Sequence, residues 1–169
     1  MTVPVAGRNQ VGLVVAMGVL IVLAFVAAAY LTRAGRRQVL AGVAGGLAGG
    51  AVNLGLDILA HRWGFWRYPE ATTPFAPLLY YVEAGLGCGA LALVAAWLHR
   101  RSGLRGPALL VAAAAGYLPV RDYLMSVTTH LIEFRYSGPW VVVADSLFEM
   151  VVPLLVAYAI VIVVNVRVP

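Results

Sequence analysis

The chain has 169 residues, 62% of them hydrophobic and only 11% charged, where an ordinary soluble domain carries roughly 25% charged residues. So little charge excludes a water-soluble globule, and no polar stretch is long enough to fold outside a bilayer, so a single integral membrane domain over residues 1–169 is expected. The net charge is +5 and every basic residue counted in that balance is arginine, clustered at the ends of apolar runs. There they read as topology signals and headgroup contacts, which leaves no nucleic-acid surface to argue for.

Five apolar runs follow one another. Residues 11–32 form the first, uncharged and long enough to cross a hydrocarbon core of about 30 Å, with its positive charges after it. It is expected to be a retained span, not a cleaved signal. The others cover about 39–60, 76–98, 106–131 and 139–166, with Pro77, Pro107 and Pro139 near their starts, where a helix tolerates proline best. The fold class expected is therefore all-α, a polytopic membrane bundle of about five transmembrane helices.

Arginine placement orients it. Arg33, Arg36, Arg37, Arg100, Arg101, Arg105 and Arg167 fall on one side; Arg8, Arg62, Arg67 and Arg135 fall on the other. The richer side is expected to face the cytoplasm, which puts the N-terminus outside and the C-terminus inside a bacterial-type cytoplasmic membrane. The second span carries Gly45/Gly49 and Gly46/Gly50 and the third Gly85/Gly89, spacings that let helix backbones touch in lipid. Packing inside this bundle is the first expectation for them, and a homo-oligomer face the second. Cys88 stands alone, which excludes an intramolecular disulfide and a multi-cysteine metal site; a small packed side chain is expected. The segment from His61 to Pro69, rich in tryptophan and tyrosine, reads as an interfacial anchor or as an aromatic lid over a site.

The depth of the acids carries the functional argument. Of seven acidic residues, Glu70 and Glu133 fall in loops, while Asp57, Glu83, Asp122, Asp145 and Glu149 lie within or near the ends of spans. Direction of travel places all five, with Arg121, in the outer half of the bilayer and none in the inner half. Asn53/Asp57 and Asp145/Glu149 are i,i+4 pairs that give two helices a polar stripe. Tyr80, Tyr81, Tyr117 and Tyr123 can supply hydroxyls and aromatic walls, and Pro119 can free a backbone carbonyl nearby. One arginine cannot neutralise five acids, so at least one carboxyl is expected to be protonated at neutral pH. The candidate catalytic set is Glu83, Glu149, Asp145, Asp57, Arg121 and Asp122; Asn53, Trp66, Tyr68, Tyr80, Tyr81 and Tyr123 are expected to bind substrate.

A neutral carboxylic acid facing an apolar chamber is a general acid, able to protonate an alkene or epoxide while a second carboxylate or aromatic ring stabilises the positive charge. In this general character the chain resembles the small integral-membrane lycopene and terpene cyclases. The resemblance implies an acid-catalysed cyclase or isomerase of a lipid or isoprenoid with no cofactor. It does not extend to their PxEE signature, since Pro69-Glu70 is followed by Ala71 and Thr72. Other chemistries fare worse: three scattered histidines do not suit a di-iron site, and no P-loop, dinucleotide fingerprint, nucleophile elbow or zincin helix occurs. Ca²⁺ or Mg²⁺ on Asp57, Glu83, Asp145 and Glu149 is a lesser expectation, and Ser146 reads as a helix-packing hydroxyl. Two other classes compete: a small proton- or cation-coupled transporter, and a non-catalytic membrane subunit or lipid-binding partner of a larger complex.

Overall fold

A computed structural model describes residues 6–67, 78–129, 133–134 and 139–166. It is all-α apart from one short ribbon. Helix α1 spans Ala6–Leu31, α2 Arg36–Trp63, α3 Leu78–Ser102 and α4 Arg105–Thr129. The last rod is continuous but not uniform: α5 (Pro139–Ser146) passes through a π-turn at Leu147–Val151 into α6 (Val152–Val166). Strands β1 (Trp66–Arg67) and β2 (Glu133–Phe134) pair antiparallel, Trp66 opposite Phe134, and tie the α2–α3 connection to the α4–α5 connection. Among the described residues, four helices are long and apolar enough to cross a membrane: Arg36–Trp63, Leu78–Ser102, Arg105–Thr128 and Val143–Val164. The described apolar stretch of α1, Val15–Leu31, is shorter.

Helix ends follow local chemistry. At the end of α1, Thr32 donates both its N–H, at 3.0 Å, and its hydroxyl, at 2.7 Å, to the Ala28 carbonyl. At the start of α2 the Gln38 side chain reaches back to accept the Gly35 N–H at 3.0 Å. Gly64 ends α2 in the left-handed conformation (φ 72°), which glycine adopts without the Cβ clash, and its N–H bonds back to the last turn.

The bundle is assembled on glycine. A Cβ on Gly46 would lie 2.5 Å from the Gly85 carbonyl oxygen, one on Gly45 2.8 Å from that of Ala157, and one on Gly49 2.8 Å from that of Pro153. Successive glycines of α2 therefore serve two seams, Gly42, Gly46 and Gly50 against α3 and Gly45 and Gly49 against α6. Partner numbers fall as α2 numbers rise, so both seams are antiparallel. The paired glycines are taken up inside the chain. Helix α3 is central, touching α1, α2, α4 and α6, and the core beside it holds Phe25, Cys88, Leu93, Leu154, Ala157 and Val161. Cys88 is a buried packing residue, as expected.

Candidate functional site

The α2–α3 and α4–α5 connections lie at one end of the bundle, the α1–α2 and α3–α4 turns at the other. The polar side chains follow the first end. Asp57 closes α2, Tyr80 and Tyr81 open α3, Arg121 and Asp122 lie late in α4, and Asp145 and Glu149 lie early in the last rod. Asn53, Asp57, Asp122, Asp145 and Glu149 are all buried, and Asp122 is wholly inaccessible.

Three groupings make up this layer. In the first, Asp57 accepts the Trp66 indole N–H on Oδ1 at 2.6 Å and the Tyr81 hydroxyl on Oδ2. Trp66 is only 2% exposed and sits among Phe65, Phe134 and Phe148. It is folded into the bundle, whereas Trp63, three residues earlier, is exposed. In the second, Arg121 places Nε at 2.6 Å and Nη2 at 2.5 Å from Asp122 Oδ1. Asp145 lies close to Asp122 across the α4–α5 contact.

The third grouping is built by a proline. An α-helix would bond the N–H of residue 153 to the carbonyl of Glu149, but Pro153 has no N–H. The backbone relaxes into the π-turn, in which the Val152 N–H reaches the Leu147 carbonyl. The freed Glu149 carbonyl is met from α2 by Asn53 Nδ2 at 3.1 Å, and the same amide donates to Glu149 Oε2 at 3.2 Å. Tyr80 adds its hydroxyl to Oε2 at 2.9 Å. Helix α4 repeats the device. Pro119 leaves the Ala115 carbonyl without its helical donor, and the Ser146 hydroxyl supplies one at 2.9 Å. Ser146 is thus a helix-packing hydroxyl, and Pro119 frees a carbonyl as its position implied.

Other expected site residues stand elsewhere. Glu83 is buried on a different face of α3, with its carboxyl against Gly18 of α1, where a Cβ would collide with it. It therefore does not join the groupings around Asp57, Asp122 and Glu149. Tyr117 and Tyr123 are 64% and 63% exposed on the outer face of α4 and do not wall the layer. Tyr68 lies outside the described residues.

Four buried oxygens of the layer have no partner among the described residues: Asn53 Oδ1, Asp122 Oδ2, Asp145 Oδ2 and Glu149 Oε1. No group of three His, Cys, Asp or Glu residues is disposed to hold a metal ion among the described residues. Comparison adds nothing to this geometry. No protein family, curated protein or solved structure matches the chain. In the opposite half of the bundle the described core is mainly apolar, and a polar pair bridges α3 and α6, His99 Nδ1 at 2.6 Å from the Tyr158 hydroxyl.

Proposed function

We propose that the chain is a five-span protein of a bacterial-type cytoplasmic membrane, N-terminus outside, whose polar layer is an acid-catalytic site for a lipophilic, isoprenoid-like substrate. Glu149 is its proton donor. The observation that carries this reading is the division of labour on one carboxyl: Oε2 accepts from both Tyr80 and Asn53, while Oε1 is buried with no described partner. A proton on Glu149 therefore belongs on Oε1, the oxygen free to meet a substrate. Transfer breaks the Oε1–H bond, forms a C–H bond at a substrate double bond and leaves positive charge on the substrate. Asp145, Asp57 and the faces of Tyr80, Tyr81 and Trp66 stabilise that charge. Loss of a neighbouring proton then gives an isomer of the starting lipid.

Arg121 pairs with Asp122, and Asp145 beside them is the carboxyl placed to take up the proton that the substrate loses. Trp66 and the ribbon cover the aqueous end, which suits entry from the lipid. A layer of acids gathered in one half of the bundle favours chemistry over transport, since among the described residues the other half carries no buried carboxyl.

The reading is tested by incubating the purified protein with a membrane lipid extract in D₂O. The expected product is an isomeric lipid one mass unit heavier, formed by wild type and lost in Glu149→Gln. Acid-driven ion flux in proteoliposomes, with no deuterated lipid, would overturn it in favour of transport.

A further inference from the structure

The unmatched atoms of the layer share one chemical property: all four are oxygen acceptors. Protonation can convert a carboxyl oxygen into a donor, but it cannot do so for Asn53 Oδ1, an amide oxygen on a side chain 1% exposed. Buried acceptors of this kind are costly to leave without a donor. They call for a ligand that brings donors. Charge narrows the class further. Arg121 is matched to Asp122, and Asp145 stands beside that pair with no further cation among the described residues of the layer. An anionic head is disfavoured, and a cationic head answers both the acceptors and the charge. The aromatic faces of Tyr80, Tyr81 and Trp66 beside Asp57 suit an organic cation, and the acceptors are divided between two groupings one helical turn apart instead of closing round a point.

We propose that this layer binds the ammonium head of an amphiphile whose tail lies in the bilayer, with Asn53 Oδ1 and the unmatched oxygens of Asp122 and Asp145 as its acceptors. This rests on the reading of the layer as a ligand site and narrows the substrate to a lipid carrying a protonated amine.

The test is calorimetric titration of the full chain in a neutral detergent with three ten-carbon probes, decylammonium, 1-decanol and decanoate, corrected against empty micelles. Decylammonium is expected to saturate one site about tenfold or more tighter than decanol, because charge-assisted hydrogen bonds are roughly twice as strong as neutral ones. Decanoate is expected not to saturate. The head-group series in wild type carries the test without any variant. Asp145→Asn, checked for folding by thermal melting, is expected to weaken decylammonium about tenfold, and His99→Gln at the opposite end to leave it unchanged. Equal binding of alcohol and ammonium would overturn the cationic class while leaving a ligand site in place. No saturable binding by any probe would overturn the proposal, and would extend to the catalytic reading only if lipid turnover also failed. Displacement of decylammonium by millimolar Na⁺ or Mg²⁺, with equal affinity for the bare ion, would overturn it in favour of an ion site.

Discussion

Trp66 and Asp57 show how a charged residue is held at the end of a span. The carboxyl accepts an indole N–H and a phenol O–H, donors that neutral aromatic residues bring without adding charge. Trp66→Phe keeps the ring but removes the N–H and leaves Asp57 Oδ1 without that donor. The loss expected is about 1–3 kcal/mol, read as a lower melting temperature in detergent. Depth was legible in the sequence because a helix rises a fixed distance per residue; azimuth was not, because it depends on which neighbour each face meets. Glu83 is the example. Tyr81, Gly85 and Gly89 face α2, and at about 100° per residue Glu83 lies some 200° round from both Tyr81 and Gly85, which turns it towards α1. The Gly85/Gly89 seam held that information, had it been used to set the rotation of α3. Glu83→Gln is accordingly expected to keep the lipid turnover that Glu149→Gln abolishes.

At the scale of elements, two prolines and two polar side chains are paired across helices: Pro153 with Asn53 and Pro119 with Ser146. Each proline opens a carbonyl that lipid cannot satisfy, and a neighbouring helix fills it. Ser146→Ala is expected to cost about 0.6–1.7 kcal/mol, the range measured for interhelical hydrogen bonds in membranes, as judged by thermal unfolding. The Pro119 carbonyl was predictable from the sequence. The Pro153 one was equally available, since Glu149 stands four residues before it, but a π-turn has no hydropathy signature and the apolar run reads straight through it. The glycine pairs were legible as contacts, although not which helix each would meet. Adding a methyl separates used glycines from idle ones. Gly46→Ala drives Cβ into the Gly85 carbonyl and is expected to destabilise by about 1–3 kcal/mol. Gly55→Ala, where a Cβ meets nothing within 4 Å, is expected to stabilise by about 0.5–1 kcal/mol, both by the same melting assay.

Across the whole molecule, a cluster of six arginines and the buried carboxyls of the layer occupy opposite ends. Arg33, Arg36, Arg37, Arg100, Arg101 and Arg105 surround the two short turns, while the buried carboxyls of the layer gather under the ribbon. Both distributions follow from the alternating direction of the same helices; in the proposed reading the first sets orientation and the second chemistry. Since Cys88 is buried, single cysteines report topology cleanly. Leu104→Cys is expected to react with an impermeant maleimide only after the cells are opened, and Arg62→Cys in intact cells.

The central claim is that the layer around Glu149 holds a lipophilic ligand. Native mass spectrometry of the protein released from mild detergent, followed by identification of the extracted lipid, tests it most directly. One specific amphiphile should accompany wild type in stoichiometric amount and be lost from Glu149→Gln. Bulk phospholipid alone, the same in both proteins, would contradict it.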